Sequence, residues 1–555
     1  MGLRRREAPI LLLGAALIAA AILLIALGWQ LTFFQDAWSV LMERRPWNAH
    51  SLLTPFNEHL LVLQVLVEKV LVEVFGMGDN HPEMLFMTAS LLVAAAVLFV
   101  YVRRCVGDWM ALFATCLLLF LGTAWQVLLW PFEMNFAASL AAGIGALLML
   151  EREDRRGDVW ACVLVLVSIG FGSFGLSFAV AAFVDICVRH RSRGWGRLWI
   201  VVIPGILYLA WYAGWGHDAE HHLTLHNVLA SPVYAFEGMA AGIASLSGLA
   251  TTGPYGATDP SWGKPLLIAL VGLAIWAQTK RPGVSKTFWP VVAVGLSYWL
   301  LAAFNFIPGR EASAIRYQYG AAAIVLLVAA ELLRNWRFSP RVLGIAAAAT
   351  ALMIAPNVAQ LGSGFDALKE QTVLTRSDTG AIDIARRTVA PSFALTPENA
   401  GTPSLINVSA ANYLPAVEEH GSAGYSPAEL AAAAEPGRHW ADVVLSQALP
   451  LRLITVEGGF APLRTQAPGC TAVPPDGSVP EVALGPGRTR ILVGEGGEAK
   501  LGMRRFAAGE YPVRLPALPG DSSASLLIPH DEAPEYPWYL HLEATQEAWV
   551  CAAGG

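Results

Sequence analysis

The residues able to do chemistry sit in short polar stretches between long apolar runs. Asp36 stands in Phe33-Phe34-Gln35-Asp36-Ala37-Trp38, a few residues past the first run. Glu58 and His59 follow in Pro55-Phe56-Asn57-Glu58-His59, and Glu133 lies in Trp130-Pro131-Phe132-Glu133-Met134-Asn135. Cations accompany them: Arg44-Arg45 near the first acid, then Arg310, and Arg316-Tyr317 just before a late apolar run. A carboxylate that takes a proton from an attacking hydroxyl, and a guanidinium that steadies a departing phosphate, are together the parts of group transfer from a phosphate leaving group. An acid at a membrane edge is costly unless it lines a polar cavity, which makes Asp36 the leading general-base candidate. Glu58 and Glu133 are the further catalytic carboxylates. Arg44, Arg45, His59, Arg310, Arg316 and Tyr317 are the candidates for holding donor phosphate or acceptor. Each has a plainer reading. Asp36 could cap its segment or pair with Arg44 or Arg45, Glu58 could cap the next helix, Glu133 could be an interfacial acid, and Arg316 could be a snorkelling anchor beside Tyr317 and Tyr319.

A second cluster reads His217-Asp218-Ala219-Glu220-His221-His222. On a helix His217 and His221 would be one turn apart, a spacing that seats a transition metal, so His217, His221 and His222 are candidate ligands against the plainer reading of a solvated loop. No cofactor is otherwise indicated, and a divalent metal ion is the one left open. There is no P-loop, no GxGxxG after a strand and no CxxC pair, so nucleotide-driven transport and dinucleotide chemistry lack their usual support. Nothing points to nucleic acid.

The elements that must position these residues are membrane spans. Over 555 residues the chain is 55% hydrophobic and 14% charged, with a mean hydropathy of +0.49, too apolar for an ordinary soluble protein. Runs long enough to cross hydrocarbon recur near 9–29, 84–102, 108–128, 134–150, 159–173, 174–188, 198–215, 264–279, 287–305, 319–333 and 341–357. That makes about eleven spans. Alternate connections are basic: Arg4-Arg5-Arg6, Arg103-Arg104, Arg152/Arg155/Arg156, Arg189/Arg191/Arg193/Arg197, Lys280-Arg281/Lys286 and Arg334/Arg337/Arg341. The positive-inside rule then puts the N-terminus in the cytoplasm and everything after the last span outside. The first run reads as a retained anchor rather than a cleaved signal peptide, because its core is long and no small-residue cleavage site follows. Leu60 to Phe75 alternates apolar residues with Glu68, Lys69 and Glu73 at helical spacing, as in a helix lying on the membrane surface.

Residues 1–357 therefore form the transmembrane part and 358–555 an extracytoplasmic domain, acidic where the membrane part is slightly basic. Its first part, 358–455, mixes helix and loop. Its second, 456–555, reads as short strands at 481–484, 489–493, 499–506, 511–515, 525–528, 538–543 and 548–551, a β-sandwich. Cys470 and Cys551 bracket that segment and are the domain's only cysteines, so a disulfide between them is expected on the oxidising side of a membrane. Trp538 and Tyr539 are offered as aromatic surfaces for stacking on sugar rings. The fold class is thus an α-helical polytopic membrane protein with a C-terminal extracytoplasmic α+β, sandwich-like domain.

A short basic arm, one span, an acid just beyond it, an Asn-Glu-His site on the same long loop, and an Arg-Tyr pair entering a late span resemble the GT-C superfamily of integral-membrane glycosyltransferases. The resemblance covers the layout of about residues 1–357 and rests on a handful of residues. It implies a sugar donor linked to polyprenyl phosphate, transfer with inversion to a glycan, lipid or protein acceptor of the cell envelope on the outer face of the plasma (inner) membrane, and Asp36 as the base. Two features depart from the family's pattern: Asp36 is followed by Ala37 where many relatives carry paired acids, so a two-carboxylate metal site there is in doubt, and no glycan-specific signature is visible. The competing class is a non-enzymatic transporter, channel or envelope assembly factor. A transporter should carry ionisable groups within its spans, and Asp185 is the main residue of that kind.

Overall fold

Apolar runs in hydrocarbon can satisfy their peptide groups only as helices or closed barrels, and the computed structural model is helical through its apolar part. It describes residues 2–193, 195–252, 256–280, 283–457, 469–475 and 481–552. Of the basic loop residues, Arg281 and the side chains of Arg4, Arg5, Arg6, Arg191, Arg193 and Lys280 lie outside the described set. The chain divides into two compact units, one of Met1–Leu31, Pro46–Leu71 and Asn80–Leu368, the other of Thr32–Arg45, Val72–Asp79 and Lys369–Gly555.

Seven described helices are long and apolar enough to cross a membrane: Glu7–Gly28, His81–Val106, Pro131–Leu150, Trp195–Gly214, Leu225–Ser247, Ile315–Leu332 and Pro340–Ile384. An eighth is reached if Asp108–Leu119 and Gly122–Leu129, bent by 40° at their break, form one span. The four remaining expected intervals are helical too, at Arg155–Phe171, Phe174–Arg193, Gly263–Lys280 and Phe288–Phe304, whereas Leu225–Ser247 falls in none of the expected intervals and corrects the count of eleven. A 17-residue helix such as Phe288–Phe304 extends only about 25 Å, short of the roughly 30 Å hydrocarbon core.

The bend has an identifiable cause. A Cβ on Gly122 would stand 1.7 Å from the carbonyl oxygen of Asn357, so only glycine permits that approach. Asn357 Oδ1 accepts from the backbone N–H and the hydroxyl of Thr123 at 3.2 and 3.3 Å, and its amide donates to the Ser245 carbonyl at 2.9 Å. These bonds replace ladder bonds lost where the helix breaks. Asp185 is not a lone charge: Arg189, one turn on, reaches it at 2.7 Å, and Arg197 lies 3.7 Å away while bonding Asp158 at 2.6 Å. Helix Val62–Phe75 has the expected position, with its polar stripe against the protein and an apolar stripe outward. Gln64, Glu68 and Lys69 are buried while Leu66, Val70, Val74 and Phe75 are exposed.

In the second unit the expected sandwich is present. Its strands are β1 (Arg452–Glu457), β2 (Cys470–Val473), β3 (Val482–Leu484), β4 (Gly487–Val493), β5 (Glu498–Arg504), β6 (Val513–Pro519), β7 (Ser522–Ile528), β8 (Trp538–Ala544) and β9 (Ala548–Ala552). They form two antiparallel sheets, ordered β1-β7-β4-β9-β2 and β3-β8-β5-β6. Alternate residues such as Ile491, Val493, Leu526, Ile528, Leu540 and Val550 point inward and are buried, the period-2 signature of a sandwich core. Cys470 and Cys551 face each other across β2 and β9 and are bonded, with Cα atoms 3.9 Å apart. Trp538 belongs to this core, at 2% exposure, and so offers no stacking surface. On β8 the side chain that alternates to the other face is Tyr539, half-buried under the Arg504 guanidinium at 4.8 Å.

Helices complete the unit. Ser426 and Glu429 cap Pro427–Ala432 reciprocally as a capping box. Asp442, on helix Glu435–Ala448, accepts the backbone N–H groups of Arg505, Phe506 and Ala507 at 2.7–3.0 Å, fastening that helix to the sheet. Phe33, Trp38, Met42 and Met77 join the same apolar core as Ile382, Tyr413 and Leu445.

Candidate functional site

The chain enters the site through a tight turn. Phe56 and His59 exchange backbone hydrogen bonds at 3.0 and 2.8 Å, and Asn57 between them has a φ of 52°, a left-handed conformation that Asn tolerates better than most residues. This turn presents Glu58 and His59 together. Glu58 accepts both hydrogen bonds of Arg310 Nη1, each 2.7 Å, with the two side chains only 11% and 14% exposed. His59 Nε2 lies 3.4 Å from Glu58 Oε1, and His59 Nδ1 lies 2.7 Å from the Ser173 hydroxyl.

Glu58, His59 and Ser173 line one side of a half-open cavity of about 160 Å³ in the first unit, with Arg310 behind Glu58. Asn135, Ser177, Asn305 and Tyr317 add polar atoms, and Phe136, Phe174, Leu301 and Tyr298 give it an aromatic and aliphatic wall. Tyr298 donates to the Tyr317 carbonyl at 3.2 Å. Ser173 stands in the turn just before helix Phe174–Arg193 and Ser177 in that helix's first turn, and both line the cavity. Ser177 is fully buried and its hydroxyl makes no hydrogen bond among the described residues.

Electrostatics set the ionisation of the pair at the rim. Burial works to raise the Glu58 carboxyl, but His59 and Arg310 outweigh it and hold it below its ordinary range. Burial lowers the His59 imidazole, Glu58 pulls it back up, and Arg310 and Arg316 push it down again, leaving it below its ordinary value. At neutral pH the site therefore pairs a carboxylate with a neutral imidazole.

The remaining sequence candidates divide. Arg316 donates to the Gly309 carbonyl at 3.1 Å and sits 5.4 Å from the Tyr317 ring, within electrostatic reach of His59. Glu133 is buried in the 3-10 turn Pro131–Glu133 and lies within electrostatic reach of Tyr298. Asp36, Arg44 and Arg45 belong to the second unit. Asp36 opens helix Asp36–Glu43, directly after Gln35 with a φ of 43°; a left-handed glutamine is strained. Arg44 is buried at that helix's end, and Arg45 pairs with Glu419 at 2.5 Å.

The histidine cluster is not helical through its length. After the 3-10 turn Gly216–Asp218 the chain runs extended to Thr224, so His217 and His221 lose the one-turn register that the metal reading needed. His221 bonds Tyr212 at 3.2 Å and His222 bonds Glu220 at 3.2 Å. Among the described residues no group of three or more His, Cys, Asp or Glu could hold a metal ion.

Ser173 and Ser177 were not singled out by sequence reasoning. The signal available was Gly170-Phe171-Gly172-Ser173-Phe174-Gly175, a glycine-flanked serine between two apolar runs where a hairpin must turn. Compared with known proteins, the chain matches no family description, no curated relative and no solved structure.

Proposed function

We propose that this protein is a GT-C-like membrane glycosyltransferase that takes a sugar from a polyprenyl-phosphate donor and passes it to a glycan, lipid or protein of the cell envelope. The observation that carries the reading is the Glu58–Arg310 pair at the rim of the cavity, with His59, Tyr317 and the nearby Arg316. It puts an anion and an imidazole on a space suited to a single small ring, with the guanidinium of Arg310 bound to that anion and Arg316 within electrostatic reach of the imidazole. In the reaction the acceptor hydroxyl loses its proton as it attacks the anomeric carbon, and the polyprenyl phosphate leaves with the bonding electron pair. Arg316 supplies positive charge for that phosphate. Asp36 keeps the base role on the strength of the sequence resemblance, and the strained Gln35 before it fits a functional position.

The reading includes a multi-span layout with a cytoplasmic N-terminus and the sandwich domain on the outer face of the plasma membrane. A disulfide-bonded domain suits an oxidising compartment. The transporter reading draws on the bent helix at Phe120–Leu121. Against it, the in-span acid Asp185 is neutralised by Arg189 and Arg197.

The test is reconstitution of the purified protein in liposomes with a panel of labelled polyprenyl-phosphate sugars and an envelope extract as acceptor. Release of polyprenyl phosphate together with labelled product supports the proposal. Absence of both turnover and saturable donor binding across the panel overturns it.

A further inference from the structure

The cavity holds an arrangement that glycosyl transfer does not require. Glu58 is clamped in its ionised form by Arg310 and can only accept, so the ring proton of His59 belongs on Nε2, facing Glu58 Oε1 at 3.4 Å. That leaves His59 Nδ1 as an acceptor, and the hydroxyl 2.7 Å away is that of Ser173. A hydroxyl within hydrogen-bond distance of an imidazole that stands beside a fixed carboxylate, 3.4 Å away and short of a hydrogen bond to it, resembles the arrangement of an activated serine nucleophile. In the first turn of the helix that follows, Ser177 lines the same cavity with a buried hydroxyl that makes no hydrogen bond among the described residues. An unused buried donor is costly unless something occupies it, and it suits an oxyanion that appears only during reaction.

We propose that Ser173 is a nucleophile that accepts the acyl group of a short-chain ester bound in this cavity. Phe136, Phe174 and Leu301 wall the space, and its roughly 160 Å³ limits the acyl chain to a few carbons. Ser173 Oγ attacks the ester carbonyl while its proton passes to His59 Nδ1, and Ser177 donates to the carbonyl oxygen as it becomes negative. Collapse of the tetrahedral intermediate breaks the ester C–O bond, and the departing alkoxide takes the proton from His59. Water or an acceptor hydroxyl then attacks the acyl-serine, giving its proton to His59, and Ser173 leaves with that proton restored. The lowered imidazole pKa keeps His59 unprotonated and ready at neutral pH. The inference stands apart from the glycosyltransferase reading, because it uses neither Asp36 nor a phosphate donor.

The test uses the full-length protein in detergent micelles with a fluorophosphonate probe, which captures activated serines by expelling fluoride, and with p-nitrophenyl butyrate as ester. Peptide mapping should place the phosphonyl adduct on Ser173, and ester cleavage should start with a burst of one p-nitrophenolate per protein. His59→Gln should slow labelling by about 100-fold or more, the usual contribution of a positioned base, and Ser177→Ala should lower the burst rate while leaving Ser173 the labelled residue. A wild-type protein that takes no label, or whose label falls elsewhere, overturns the proposal whatever the variants do. Label on Ser173 without sugar transfer would sink the glycosyltransferase reading alone.

Discussion

The Glu58–Arg310 pair offers a quantitative test in a double-mutant cycle of Glu58→Gln, Arg310→Gln and both together. Both side chains are nearly enclosed, so the discount for exposed ion pairs does not apply. Arg310 Nη1 donates to both carboxylate oxygens at 2.7 Å, and each hydrogen bond to a charged group is worth about 1.5–3 kcal/mol. Desolvation offsets much of that gain. Removing Arg310 alone strands a buried carboxylate and should cost about 3–5 kcal/mol. The double variant should recover about 2–3 kcal/mol of the summed single costs, which is the coupling of the pair.

Unfolding can be followed by a thiol-reactive dye, because Cys105 and Cys162 in the first unit are free and buried. The pH dependence has a definite sign. Glu58 and His59 both have folded-state values below their unfolded ones, so each contributes stability that is present above its unfolded pKa and lost as pH falls through the folded one. For His59 the loss starts below about 6.5 and for Glu58 below about 4.3. Arg310→Gln removes a cation that lowers both groups, which brings their folded-state values closer to the unfolded ones, so the stability lost on acidification should be smaller than in the wild type. If the double variant is as unstable as the two single costs added together, the two residues do not interact and the account of the rim is wrong.

Asp36→Asn keeps size but removes basicity, so transfer in the liposome assay should fall about 100-fold or more with donor binding intact, while Arg316→Ala should weaken donor binding instead; near-normal transfer by Asp36→Asn removes the base assignment. Gly122→Ala forces a methyl onto the Asn357 carbonyl and should destabilise the first unit by about 1–3 kcal/mol or more, read with the same thiol dye. Cys470→Ser should cost the second unit about 2–5 kcal/mol, measured by guanidinium unfolding followed through sandwich-core tryptophan fluorescence. Equal midpoints with and without the bridge would count against it.

Local signals made much of this legible. Seven of the nine strands were placed from alternation and turn residues, and Cys470–Cys551 from the cysteine count, because period-2 burial and a lone cysteine pair are properties of short stretches. The missed strands are the exceptions that show why: β1 follows a helix without a turn cluster, and the four-residue β2 adjoins residues 461–468, outside the described set. The membership of Thr32–Arg45 in the second unit was not legible. It depends on pairings such as the Thr32 N–H with the Thr372 hydroxyl, 340 positions away, and no local pattern encodes a partner at that separation. Ser173 was hidden likewise, since its meaning comes from His59 on a distant loop. The helix Val62–Phe75 was found by period, but periodicity locates a stripe without saying which stripe meets the protein, and the burial of Gln64, Glu68 and Lys69 was not legible.

Strand order also sets the timing of assembly. β9 is hydrogen-bonded on one side to β4 and on the other to β2, yet its residues are the last of the nine strands to leave the ribosome. Until they emerge, β4 offers an open edge and β2 has no neighbour in its sheet. A chain made from its N-terminal side must therefore hold most of a sandwich waiting for the strand that closes it, an interval in which unpaired edges invite association with other chains. The oxidation chemistry of that interval is simple. The second unit contains no thiol other than Cys470 and Cys551, so Cys470 has no wrong partner within its own unit, and the arrival of β9 brings the right one directly into register.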